Sequence, residues 1–173
     1  QQYAVLPFFT LVRFGRWDTL LRDTLPPDSA DPYPLAIWHY ARGTAYARTG
    51  QLEGAQRELD RLERLAADPT LQSFKVKNLN PTAQLARIAM LTLRADLLLA
   101  RGEAQPAVAL LLDATRIEDA LEYDEPHLWL APTRHALGAA LLAAGRADEA
   151  ERAYREDLRH YPDNGWSLSG LAL

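Results

Sequence analysis

Residues 131–162 read APTRHALGAALLAAGRADEAERAYREDLRHYP, and this stretch decides the fold. It reads as two helices separated by a glycine turn. The first is expected from about Pro132 to Ala144, because proline in the first helical turn removes only an amide that has no partner there. Gly145 ends it by taking the left-handed conformation that other residues resist. Ala147-Asp148-Glu149 opens the second helix, with acids near its positive end. Ala150 and Tyr154 lie four residues apart on one face, so the alanine allows close helix approach and the tyrosine fills the gap. Pro162 stops the second helix near Tyr161.

One such hairpin cannot bury its apolar face alone and requires neighbours. Laid upstream with Ala36 in the place of Ala131, the same pattern finds Gly43, Tyr46, Gly50 and Ala55. Started at Ile88, it finds Asp96, Gly102, Ala107 and Leu111, with Pro106 at a helix start. Started at Gln1, it finds Phe8, Leu11, Gly15 and Leu20, with Pro32 closing the unit. A fifth unit opens at Asp163 and carries Trp166 and Gly170. The expected repeats are therefore about 1–32, 36–69, 88–119 and 131–162, with a partial fifth over 163–173, in a single domain. The turn glycines Gly15, Gly50, Gly102 and Gly145 are 35, 52 and 43 residues apart, so two connections between hairpins are long. One runs from Asp68 to Pro81, where Pro69, Asn78, Asn80 and Pro81 interrupt any helix. The other spans Ile117 to Ala131: an extension of the second helix to about Leu121, then a loop through Glu125-Pro126. Pro26-Pro27 is expected to cut short the helix that begins at Trp17.

The order Leu137-Gly138, Leu141, Gly145, Ala150, Tyr154, Pro162 resembles the tetratricopeptide repeat, L-G-x2-Y, A-x3-F, P. The resemblance extends over nearly the whole chain and is strongest in 131–162. Tyr154 to Leu158, followed by Pro162 to Leu168 and Gly170-Leu171, is similar to bacterial tetratricopeptide proteins. That implies a bacterial origin and further repeats upstream, and no reaction. The fold it implies is all-α, a right-handed α-solenoid of antiparallel helical hairpins. First helices of such a superhelix line its concave face. Carried over residue by residue, the groove residues are Gln2, Phe9 and Arg13, then Tyr40, Thr44 and Arg48, then Thr92 and Asp96, then His135, and finally Asn164 and Ser167. Arg13 and Arg48 hold equivalent places and are expected one above the other, where guanidinium forks suit carboxylates. The lysine-and-asparagine carboxylate clamp of chaperone-tail-binding relatives is absent from these places.

Composition narrows the function classes. The chain has 173 residues, 48% hydrophobic and 24% charged, with a net charge of −4. That balance gives no cationic surplus for a polyanion, so no nucleic-acid partner is expected. The absence of cysteine excludes disulfides, zinc–thiolate sites and cysteine nucleophiles from this segment. No apolar run reaches the ~18 residues of a membrane helix. Arginine outnumbers lysine 17 to 2, which points to a GC-rich bacterial genome. Cytoplasm and periplasm both remain open for a soluble protein.

Other constellations read as structure. His39 falls where the repeat wants tryptophan and is expected to pack between helices. His160 sits in a last helical turn, where it complements the dipole. His127 beside Asp124 and Glu125 has the donors of a weak oxygen–nitrogen metal site, but no H-E-x-x-H or repeated ligand spacing accompanies it. Glu118, Asp119, Glu122, Asp124 and Glu125 read as a solvated helix end and loop, and no D-x-D-x-D-G calcium loop is present. Gly165-Trp166-Ser167-Leu168-Ser169-Gly170 lacks the spacing of a nucleophile elbow. The four tryptophans, Trp17, Trp38, Trp129 and Trp166, lie at or near repeat junctions; Trp129, in a loop, is the one that could be exposed.

The expectation is a non-enzymatic scaffold with no cofactor and no metal, holding a protein or peptide segment of acidic character in its groove. The rival is a small-ligand, metal-binding or catalytic module built on the 118–125 loop with His127 and His135; a third reading is a regulatory segment of a larger protein. Apolar ends are expected at Ala4, Leu6 and Phe8 and at Trp166, Leu168 and Leu171. They imply either a longer array or self-association through an end.

Overall fold

The computed structural model describes residues 2–22, 24, 31–76, 79–125 and 127–173. The expected stop at Pro26-Pro27, the Gln2 side chain, and Asn78 and Pro126 of the two long connections lie outside them. Among the described residues there are ten helices: α1 (Gln2–Arg13), α2 (Trp17–Arg22), α3 (Pro32–Arg48), α4 (Leu52–Ala66), α5 (Thr70–Ser73), α6 (Thr82–Ala100), α7 (Ala104–Asp119), α8 (Thr133–Ala143), α9 (Ala147–His160) and α10 (Gly165–Leu171). They pack as sequential antiparallel pairs, α1 with α2, α3 with α4, α6 with α7 and α8 with α9, and α10 follows on α9 and α8. No helix among these residues is long and apolar enough to cross a membrane.

The local chemistry explains these boundaries. Asp31 caps α3 by accepting from the Tyr33 amide, and Pro32 takes the first helical position. Gly15, Gly50, Gly102 and Gly145 all have positive φ, between 62° and 81°, which lets each hairpin turn without a Cβ clash. In α9 the buried set Ala150, Ala153, Tyr154 and Asp157 follows the helical period. In α4 it is Gly54, Ala55, Glu58, Leu59 and Leu62.

The third pair opens at Thr82, six residues ahead of Ile88. Thr82 starts the helix there because its hydroxyl donates to Leu71 O (2.8 Å) and Phe74 O (3.3 Å), anchoring it to α5 and the strand that follows. The connection before it contains a two-residue antiparallel ladder, Lys75 opposite Pro81 and Val76 opposite Asn80. The resulting α6 packs against α3, α4 and α7, and most of its residues are buried.

The connection between α7 and α8 turns inward. Leu128 and Trp129 are buried, Trp129 at 2% exposure. The Trp129 ring meets Phe9 of α1 edge-on (4.9 Å between centroids, 82°) and lies 5.2 Å from Tyr40 of α3. Asn80 fixes the start of this segment, accepting from the Glu122 amide and donating to the Glu122 carbonyl, both at 2.8 Å. The segment therefore packs against α1 and α3, and Trp129 is a core residue rather than an exposed loop tryptophan.

His39 is buried as expected, and its Nδ1 lies 2.5 Å from Glu58 Oε2 on α4. Burial alone would raise the Glu58 carboxyl; the bond with His39 and the nearby Arg61 and Arg42 hold it below its ordinary value.

Tyr154 is wedged between two glycines. A methyl added at Gly138 or at Gly170 would overlap its ring, so the α8–α9 and α9–α10 contacts depend on the same pair of absent side chains. Gly138→Ala should lower stability by about 1–3 kcal/mol in urea unfolding, despite the better helix propensity of alanine. Shrinking the ring in the double variant Gly138→Ala/Tyr154→Leu should recover part of the difference between Gly138→Ala and the native chain. A Gly138→Ala variant as stable as the native chain would show that the wedge is loose.

Candidate functional site

Of the eleven groove residues expected from the sequence, Gln2 has no described side chain, and seven line one cavity of about 310 Å³: Arg13, Tyr40, Thr44, Arg48, Thr92, Asp96 and His135. Phe9 and Asn164 line an adjoining cavity of about 450 Å³, which shares Arg13, Pro132 and Trp166 with the first. Ser167 lines neither. It is fully buried and donates to Asp157 Oδ2 at 2.6 Å. Residues of α1, α3, α6 and α8 supply most of the wall of the first cavity, whereas the connection before α8 and the segment Tyr161 to Trp166 supply most of the second.

The side chains divide into floor and rim. Phe9, Tyr40, Thr44, Thr92 and Asp96 are buried. Arg48 is half exposed and donates through Nη2 to Asp96 Oδ1 (2.8 Å), while Thr44 donates to Asp96 Oδ2 (3.2 Å). Burial pushes the Asp96 carboxyl up, and the Arg48 charge and the Thr44 bond only partly offset it. Arg13 donates to Leu130 O (2.7 Å), and its guanidinium lies 4.2 Å above the Trp166 ring. Both arginines face one cavity, and each already has a partner within the chain. The Thr92 hydroxyl and the Trp129 indole N–H are buried without a hydrogen-bond partner among the described residues.

His135 belongs to a polar knot that joins α8, α9 and α10. Its Nε2 lies 3.0 Å from Asp157 Oδ2, which also accepts from Asn164 Nδ2 (2.9 Å) and Ser167 Oγ (2.6 Å). Asn164 Oδ1 in turn caps α10 through the Trp166 amide. Burial alone would raise the Asp157 carboxyl, but the bonds from His135 and Ser167 hold it below its ordinary value. The serine hydroxyl is bonded to the carboxylate rather than to the imidazole, which is not the order of a nucleophile and its base.

The acidic segment differs from a wholly solvated one at Glu118. Its Oε2 accepts from the Thr133 amide (2.8 Å) and hydroxyl (2.5 Å), so an acid at the end of α7 caps the start of α8. Burial pushes this carboxyl up to about 7, against the lowering effect of the Thr133 bonds and Arg134. Asp119 remains at the surface and holds Arg134 through two bonds of 2.6 and 2.8 Å. Among the described residues, no three histidine or acidic side chains come together to hold a metal ion; His127 packs its ring between Tyr123 and Tyr161.

Glu118 and Asp157 were hidden in the sequence for opposite reasons. Glu118 sat in an acidic run that reads as solvated. Asp157 carried a signal, being an acid three residues after Tyr154 on the apolar stripe of its helix, where a charge needs a partner.

Comparison with family models, with curated proteins and with solved structures returns no match.

The raised Glu118 carboxyl makes stability depend on pH. Between about 4.5 and about 7 the folded chain keeps a proton that the unfolded chain has lost, so rising pH favours unfolding through this group. Glu118→Gln should flatten the decline, which amounts to on the order of 3 kcal/mol across that window. Urea midpoints at pH 4.5, 6 and 7.5 for both proteins measure it, and parallel curves would refute it.

Proposed function

We propose that the hairpins form a tetratricopeptide-like solenoid segment that acts as a non-enzymatic scaffold, holding a protein or peptide segment along the face built by the first helices. The observation that carries this reading is the convergence of nine residues, taken from equivalent places in successive hairpins, on two adjoining cavities. A buried floor of aromatic and polar side chains lies there beneath partly exposed arginines, the mixture of apolar area and a few placed polar groups that a recognition site uses. Phe14 and Trp166, both exposed at the cavity beside Phe9, offer contact area to an apolar side chain, and the half-exposed Arg48 stands at the rim of the other.

The arginines set the charge preference. Arg48 spends one donor on Asp96 and Arg13 one on Leu130. A guanidinium has five donors, so both retain capacity for a carboxylate. An acidic residue in the bound segment therefore favours binding, and the partnered arginines are pre-positioned rather than free to search. Self-association is a further use of the same chemistry, since Tyr3, Phe14, Leu168 and Leu173 are exposed apolar groups.

Selection of a random-peptide display library against the immobilised chain tests the groove. Enriched peptides should carry an acidic residue near an apolar one. Their affinity should fall by roughly tenfold or more in the double variant Arg13→Glu/Arg48→Glu, because the partner carboxylate then meets like charge. Peptides that bind the double variant as well as the native chain would sink the proposal.

A further inference from the structure

The groove leaves apolar and cationic surface exposed side by side. At the cavity beside Phe9, Phe14 is 62% and Trp166 43% exposed, and their rings meet edge-on with centroids 5.9 Å apart. Exposed aromatic rings in contact are a surface that a partner covers with profit. The Arg13 guanidinium lies over the Trp166 ring, Arg16 is exposed just beyond Phe14, and Arg48 is half exposed at the adjoining cavity. Two acids line the same cavities: Asp96, buried and already bonded to Arg48, and Asp163, which is exposed. The accessible charge around the groove is therefore positive, on a chain whose net charge is −4.

The chain also carries a segment of the opposite character. In Leu121-Glu122-Tyr123-Asp124-Glu125, acids surround one aromatic ring. Tyr123 is 71% exposed, and Glu122 and Glu125 are exposed as well. Asn80 bonds both the amide and the carbonyl of Glu122, and Glu125 accepts from the Tyr123 hydroxyl. The segment is thus presented in a fixed shape, and little freedom is lost when a partner covers it. It lines neither groove cavity of its own chain. It lies next to them, because the Tyr123 ring is 5.5 Å from His127, which lines the cavity beside Phe9. Complementary patches side by side on one face suit a two-fold contact, in which each copy lays its acidic segment on the cationic patch of the other.

We propose that the occupant of the groove is a second copy of this chain. Tyr123 of each copy packs on Phe14 and Trp166 of the other, and Glu122 and Glu125 face Arg13 and Arg48. The proposal rests on the groove reading given above and names its partner. The contact is small, and the net charge of −4 on each copy opposes it, so the dimer is reversible rather than permanent.

Sedimentation of the whole chain from about 1 µM to about 1 mM is the test. The native chain should pass from monomer to dimer and no further, and the indole N–H resonance of Trp166, assigned with Trp166→Phe, should shift over the same range. Tyr123→Ser, at an exposed position, should weaken the dimer by about tenfold or more. Arg13→Glu/Arg48→Glu and Glu122→Arg/Glu125→Arg, each checked for folding by circular dichroism, should be monomeric alone, because like charges then face each other in both halves of the contact. Mixed in equal amounts they should form a heterodimer, in which every pair across the two-fold is again of opposite sign. A native chain that stays monomeric overturns the proposal, as do species larger than the dimer and a mixture of the folded variants that stays monomeric. Equal association of Tyr123→Ser and the native chain overturns it too, and moves the contact to the apolar chain ends. Display-selected peptides that bind a monomeric native chain would leave the groove reading standing and remove only the second copy as its occupant.

Discussion

The placement of the Trp129 indole between Phe9 and Tyr40 is the contact on which the arrangement of the helices depends. An aromatic side chain of this size buries 150–250 Å², worth roughly 4–6 kcal/mol of transfer free energy. Here that burial is drawn from three separate parts of the chain: α1, α3 and the connection before α8. The connection therefore acts as a brace. Asn80 grips it at Glu122 and Arg13 grips it at Leu130, so both its approach to the core and its exit toward α8 are hydrogen-bonded. Every cavity described above has a wall that this brace supplies or positions.

A second constraint is polar and occurs twice. In α3–α4, His39 meets the buried Glu58; in α8–α9, His135 meets the buried Asp157. Each pair puts an acid on the inward stripe of the second helix and an imidazole on the first. The acids take no part in apolar packing, and their value lies in direction: a hydrophobic stripe tolerates rotation and sliding, whereas a buried carboxylate accepts only the partner that satisfies it. Glu118 does the same between hairpins, joining the end of α7 to the first amide of α8.

Much of this was legible in the sequence where the information is local. The glycine turns, the proline starts and the i, i+4 pairing of Ala150 with Tyr154 are short-range physics, and the helical pairs follow from them. The convergence of the groove residues was legible too, through the places they hold in successive hairpins. Less legible was anything set by distant residues. The inward path of the connection depends on Phe9 and Tyr40, far from Trp129 in the chain, and a long acidic loop reads as solvated in their absence. The early start of α6 depends on carbonyls of Leu71 and Phe74 that accept from Thr82. The partnering of Arg48 by Asp96 was hidden because both residues were read as facing outward to a ligand, not toward each other.

The contact of α1 with α10 has a consequence for how the molecule comes apart. Arg13 lies over the Trp166 ring, and Phe14 lies 5.9 Å from it. In an array whose units touch only their sequence neighbours, the outermost units fray one at a time and stability is a sum along a line. Here the first and the tenth helix share an aromatic contact, so the line is joined into a circuit. Loosening α10 removes a support from α1, and loosening α1 withdraws the Phe9 wall from Trp129. Damage at either helix is thus communicated to the brace, which favours the loss of structure in one concerted step over progressive peeling.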